Sequence, residues 1–187
     1  MSYISNNPVR NRPEASRVTL MVFRQSKIGD HEVLVGRSVD NPAEGYRLPI
    51  RDVYHEDGQP PQREEHAARC LGEAVFNVDM NSSQVDIGRS TGLTDENENL
   101  AMRGFPVRAT AEWEAVARDG RQRVVEVGGR QRRYVFQFVP ISVFNAQRDS
   151  LIPELGWINT ALENFLNHYI SIIEPTINAL TPPPNYR

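Results

Sequence analysis

His66, Arg69, Cys70 and Glu73 stand at i, i+3, i+4 and i+7, so on a helix they share one face and can touch. An imidazole beside a thiolate suits a softer metal such as zinc. Cationic Arg69 and His66 would alternatively lower the pKa of Cys70 and give a reactive thiolate. Two plainer readings stay open: Cys70 as a small hydrophobe filling a slot, and Arg69 to Glu73 as an ordinary helix ion pair. Glu65 and Glu73 form a second candidate metal pair on the same helix. They lie two turns apart, so one ion would need a third carboxylate, for which Glu112 and Glu114 are available. Arg121, Arg123, Arg130, Arg132 and Arg133 cluster around Gly128-Gly129. With Arg47, Arg51 and Arg69 they could draw in a phosphate-bearing ligand, or they form a solvated hairpin face balanced by the acidic 95 to 98 loop.

Positioning these residues requires a helix and a sheet. Gln62 to Val75 carries a 3.6-residue period after Pro60 and Pro61, with Ala67, Ala68, Leu71, Ala74, Val75 and Val78 on the core side. Upstream, Val18, Leu20 and Val22 alternate with Thr19, Met21 and Phe23, which predicts a strand buried on both faces. His31 to Arg37 pairs with it as a hairpin, and Ser38 to Gln62 reads as mostly loop. Gln84 to Ser90 reads as a short strand and Thr91 to Gly104 as a polar loop. The alternation from Val107 to Ala117 predicts a strand that opens a meander with Arg121 to Val127 and Gln131 to Val139. Trp157 to Ile173 repeats apolar residues at helical spacing. This order predicts an α+β sandwich of helices on a mixed sheet.

The composition bounds the functions. At 187 residues, with 39% hydrophobic and 24% charged residues, one domain is expected over 17–180, with a flexible extension at 1–16 and a Pro-rich tail at 181–187. No apolar run reaches the length of a membrane span, and the opening residues lack the apolar core of a secretory leader. A lone cysteine cannot form an internal disulfide, which fits a reducing compartment, so a cytoplasmic location is expected. The net charge of −3 argues against general nucleic-acid affinity, and no aromatic residues interleave the arginines. An oligomer is left open. Lys27 is the sole lysine beside 20 arginines, a bias that a GC-rich genome explains.

The element order, together with two segments, resembles the Nudix superfamily. Leu48-Pro49-Ile50-Arg51 is similar to the family's leucine-proline-glycine-glycine loop, and Ala67 to Phe76 is similar to the helix of its signature, G-x5-E-x7-R-E-U-x-E-E-x-G-U with U aliphatic. Arg69, Leu71 and Glu73 match the arginine, the aliphatic residue and the first glutamate of the pair. Cys70, Ala74 and Phe76 replace the glutamate after arginine, the second glutamate and the closing glycine. Leu155-Gly156-Trp157-Ile158 resembles the start of the family's last helix. The resemblance implies an α/β/α sandwich with a mixed sheet, a short signature helix and a long C-terminal helix.

It also implies where chemistry would sit. In the family the helix glutamates hold Mg²⁺ or Mn²⁺, which clamps a diphosphate and activates water. Such hard cations want oxygen ligands, and losing two of three helix carboxylates should remove most of that affinity. Three readings therefore stand: a module binding a small molecule or phosphate-bearing ligand, or a metal-independent enzyme, on a retained scaffold; a Mg²⁺- or Mn²⁺-dependent hydrolase of nucleoside or isoprenoid diphosphates with unusual ligands; and a protein-interaction domain. His55 falls in the Asp52 to Gly58 loop, which corresponds to the family's catalytic loop, and joins Glu73, His66 and Cys70 as a candidate catalytic residue.

Overall fold

Val18, Thr19, Leu20, Met21, Val22 and Phe23 are all buried, as a strand apolar on both faces must be. They form the middle of β1 (Arg17–Gln25), which runs through the centre of a mixed sheet. The computed structural model describes residues 14–25, 31–60, 62–80, 90–94, 100–140 and 143. After β1 come β2 (His31–Ser38), β3 (Tyr46–Arg47), β4 (Ile50–Asp52), α1 (Gln62–Cys70), β5 (Thr91–Thr94), β6 (Leu100–Arg108), α2 (Ala111–Asp119), β7 (Gln122–Val127) and β8 (Arg130–Pro140).

The main path of the sheet is β5-β6-β1-β2-β8-β7, with β3 added to β2 and β4 to β1. β1 runs parallel to β6, from Val18 opposite Arg103 to Phe23 opposite Arg108. Its other edge is shared: β4 pairs with Arg17 to Thr19, and β2 with Phe23 to Gln25. β2 then pairs antiparallel with β8, from Glu32 opposite Pro140 to Ser38 opposite Tyr134. β7 and β8 form a hairpin closed by Gly128 and Gly129, whose φ of 60° and 76° is the successive left-handed pair a tight hairpin turn needs. Both helices pack onto a core shared by Leu20, Val22, Leu34, Phe105, Val125 and Phe136.

β1, β2, α1 and the β7–β8 hairpin lie where the sequence predicts them, and the architecture is α+β with a mixed sheet. Two expectations are corrected. The strand expected from Val107 to Ala117 ends at Arg108, and α2 begins at Ala111. Its residues alternate, but they also place Trp113, Val116 and Ala117 at i, i+3 and i+4, and it is Trp113 and Val116 that are buried while Ala111 and Ala115 are exposed. Thr110 takes an extended conformation, its carbonyl accepts the Glu114 N–H, and Glu112 and Glu114 fill the first turn where carboxylates are favoured. The polar loop expected over Thr91 to Gly104 instead holds β5 and the start of β6.

The polar, acidic residues of that segment read as loop, and the buried Arg103 within it is explained by a partner. Its Nε donates to Glu64 Oε2 at 2.9 Å, with the two side chains only 5% and 3% exposed. Glu64 sits in the first turn of α1, so this pair clamps the helix onto β6. The Gln84 to Ser90 strand and the Trp157 to Ile173 helix fall on residues outside those described, Ser90 excepted, which is not in a strand.

Removing one partner of a buried ion pair strands the other charge, a loss of about 3–5 kcal/mol, whereas replacing both with apolar residues is close to neutral. Arg103→Met should therefore lower the urea unfolding midpoint strongly, and Glu64→Leu combined with it should recover most of the loss. Equal midpoints for the single variant and the parent would show that the pair contributes nothing.

Candidate functional site

Arg51, on β4, faces the short 3₁₀ turn His55–Asp57. Its Nη1 donates to Asp57 Oδ2 at 2.7 Å and to the Asp52 carbonyl at 3.1 Å, and its Nη2 donates to Asp57 Oδ1 at 3.2 Å. The guanidinium also lies 5.0 Å from the centre of the Tyr54 ring. Asp57 Oδ2 accepts the Tyr54 N–H at 2.8 Å. Its Oδ1 lies 3.8 Å from His66 Nε2 on α1, and His66 Nε2 lies 3.4 Å from Cys70 Sγ one turn further on. One continuous polar chain thus joins β4, the turn and the helix.

Burial works against the charge on Asp57, but the hydrogen bonds from Arg51 and Tyr54, with the charges of Arg51 and His66, hold its carboxyl below the usual carboxylate range. Burial pushes the Cys70 thiol up. Arg51 and Arg69 pull it down and Asp57 and Glu73 push it up, and with burial the largest influence the net direction is upward. This direction is opposite to the lowered thiol pKa that an activated thiolate would need.

After Cys70 the helix changes pitch, and Leu71–Val75 winds as a π-helix. Gly72 is packed so tightly that a Cβ there would lie 2.6 Å from Met80 Cγ. Asn77, at a left-handed φ of 54°, ends the helix, its N–H donating to the Glu73 carbonyl. Arg123 donates to the Val75 carbonyl at 3.0 Å, satisfying a helix-end acceptor. The wider turn alters the phase of the helix. Ala74, expected on the core side, is exposed, whereas Phe76 is buried against Trp113 and Phe136.

A cleft of about 300 Å³ opens beside this turn. Arg51 and Tyr54 line one side, Cys70, Leu71, Ala74 and Val75 the helix side, and Val124, Glu126 and Gln131 the β7–β8 side.

The remaining candidates lie elsewhere. Glu73 is exposed and does not line the cleft, and Glu65, Arg69 and His55 do not line it either. Arg47 Nη2 pairs with Glu44 at 2.9 Å, and Arg132 shares the same carboxylate. Of the three arginines named as anion ligands only Arg51 reaches the cleft, and it is engaged with Asp57. Around the hairpin, Arg121 and Arg123 pair with Asp119 and Arg133 with Asp40. Glu112 and Glu114 stand on α2, where Glu112 accepts the Asp79 N–H and Glu114 pairs with Arg24. Among the described residues, the metal-capable group of three is Asp57, His66 and Cys70, with ligand atoms all within 4.8 Å of one another. Sequence reasoning missed Asp57, Tyr54 and the β7–β8 wall of the cleft. Nothing in their spacing ties them to α1, because a turn and a hairpin bring them there.

No family model matches this chain, and no curated protein matches it. Solved structures to which it is similar include a C. elegans Ap4A hydrolase in a binary complex, at 13% identity, covering 84% of this chain and 99% of that one, with a TM-score of 0.47. A second is RenU, a Nudix hydrolase from M. smegmatis, at 13% identity, covering 84% and 87%, with a TM-score of 0.47. A third is the C-terminal domain of mouse MUTYH in complex with human PCNA, at 10% identity, covering 85% and 88%, with a TM-score of 0.47. Likeness at this level carries nothing about activity. Among the described residues no helix is long and apolar enough to cross a membrane.

Two outcomes follow from the local electrostatics. A carboxylate with a depressed folded pKa adds stability above its unfolded pKa and loses it as pH falls through the folded one. Asp57→Asn should thus melt below the parent at neutral pH, with the gap closing in acid. A pH-independent gap would rule out the carboxylate charge as its source. For Cys70, iodoacetamide should alkylate the folded protein at neutral pH more slowly than it alkylates a free cysteine, and faster labelling would contradict the raised pKa.

Proposed function

We propose that this chain is a Nudix-fold domain, spanning residues 17–180, whose former metal face has become a binding cleft for a small molecule. The observation that carries the reading is the composition of that cleft. Cys70 and Ala74, at positions where the signature has carboxylates, line it, and Glu73, the surviving carboxylate, does not. The order of strands and signature-like helix supports the fold reading, and the lone Cys70 suits a reducing compartment such as the cytoplasm.

The donor set does not fit Mg²⁺ or Mn²⁺. Thiol sulfur is a poor ligand for a hard cation, alanine is none, and a single carboxylate beside them, Asp57, falls short of the several oxygen ligands such an ion wants. At about 300 Å³ the cleft is at the lower end of the range for ligand pockets. Among the described lining residues the one cation, Arg51, is matched by Asp57, and Glu126 adds a further carboxylate, so they offer little attraction to a diphosphate. Ile50, Leu71, Val124 and Val125 supply apolar lining beside these polar groups. These features favour a compact ligand that combines an apolar body with hydrogen-bonding groups.

With Mg²⁺ or Mn²⁺ the purified protein should release little phosphate from nucleoside diphosphates, dinucleotides or isoprenyl diphosphates. The dye ANS, an apolar body with one anionic group, should bind at one site per chain, and Ala74→Trp, which puts a ring into the cleft, should weaken it by roughly tenfold or more, about 1.4 kcal/mol. Robust metal-dependent turnover that disappears in Glu73→Gln would establish a hydrolase instead, and dye binding indifferent to Ala74→Trp would overturn the cleft as the site.

A further inference from the structure

We propose that Asp57, His66 and Cys70 form a zinc site where the 3₁₀ turn meets helix α1. The inference does not depend on what the cleft binds. It joins the His66 and Cys70 pair, one helical turn apart, to a carboxylate that the chain brings in from outside the helix.

Distances carry the argument. In a tetrahedral site, bonds of about 2.3 Å to sulfur and about 2.0–2.1 Å to nitrogen and oxygen put neighbouring ligand atoms roughly 3.3–3.6 Å apart. Here Cys70 Sγ to His66 Nε2 is 3.4 Å, His66 Nε2 to Asp57 Oδ1 is 3.8 Å, and no pair among the three ligand atoms exceeds 4.8 Å. Two of the three separations are already within a few tenths of an ångström of that range, and the third needs a side-chain adjustment only.

The carboxylate is also aimed. Oδ2 takes the shorter Arg51 bond and the Tyr54 N–H, while Oδ1, with only the longer 3.2 Å contact to Arg51, faces the imidazole. Holding a ligand through its outer oxygen is the way supporting residues orient a metal-binding carboxylate. The cost is the Arg51 cation nearby. Thiolate and carboxylate bring two negative charges against it, so the bound set of Zn²⁺, three ligands and Arg51 carries a net charge of only about +1.

Zinc is the class of ion this set selects. Nitrogen, sulfur and one carboxylate suit it, and a thiolate disfavours magnesium and calcium. Binding converts the Cys70 S–H to a zinc-bound thiolate and releases the proton to solvent, so the raised thiol pKa lowers affinity without blocking it. His66 is 47% exposed, which gives the ion a path in and leaves a fourth position to water, as in open three-ligand sites.

The test uses the full chain, with Co²⁺ as a spectroscopic probe and Zn²⁺ in competition with a chromophoric chelator. One ion per chain is expected, with a thiolate-to-cobalt charge-transfer band that Cys70→Ser abolishes. His66→Ala, at an exposed helix position, should keep the metal-free Tm and weaken Zn²⁺ by at least roughly tenfold. Zn²⁺ should raise the Tm of the parent and not of that variant. Glu73→Gln should bind as the parent does. Absence of the thiolate band, or equal Zn²⁺ affinity in the parent and His66→Ala, would overturn the site. Neither readout involves the dye, so failure here leaves the cleft reading intact, and the reverse also holds.

Discussion

The buried pair between Glu64 and Arg103 is the constraint on which the rest of the molecule hangs. Neither charge could be held so far from water alone, and together they tie the first turn of α1 to β6. β6 is the parallel neighbour of β1, so the same contact places the helix over the strand at the centre of the sheet. Ala67 and Ala68, both buried, then let the helix approach closely, and Leu71 reaches the core. With that helix set, its opposite face has only one place to look, toward β4, the 3₁₀ turn and the β7–β8 hairpin. His66 and Cys70 inherit their positions from this docking.

That face offers a thiol and an imidazole one helical turn apart, with the Asp57 carboxylate supplied from the turn and bound by Arg51. Arg51 is the common member of the two features. It lines the cleft and it orients Asp57, and its stacking on Tyr54 links both to a side chain that is itself part of the cleft wall. A ligand that displaced Tyr54 would therefore act on Asp57 through Arg51, a short physical path between the two.

The parts legible in the sequence were those whose signals are local. β1 shows itself by apolar residues on both faces, α1 by its period and preceding prolines, and the β7–β8 hairpin by Gly128-Gly129. β6 was hidden because the acidic run just before it reads as loop, and the burial of Arg103 inside it shows only once Glu64 is seen beside it. α2 was misread because Ala111 to Ala117 satisfies a two-residue and a 3.6-residue period at once, and burial of Trp113 with Val116 decides between them. On the site, the helical face of His66 and Cys70 could be read from spacing. Two things could not: the π turn, which moves Ala74 out and Phe76 in, and the arrival of Asp57, which depends on where β4 leaves the chain.

The parallel pairing of β1 with β6 also bears on how the chain reaches this state. β1 has a local partner in β2 for its last residues, but its central ladder waits for a strand that begins only at Leu100. Closing so long an intervening loop costs entropy before any strand contact repays it. During synthesis, Val18 to Phe23 must stay exposed along that edge until β6 has emerged, and an apolar strand with a bare edge is what chaperones and aggregation both recognise. The rate of folding, and the need for help while it proceeds, is thus written into the parallel ladder that joins β1 to β6.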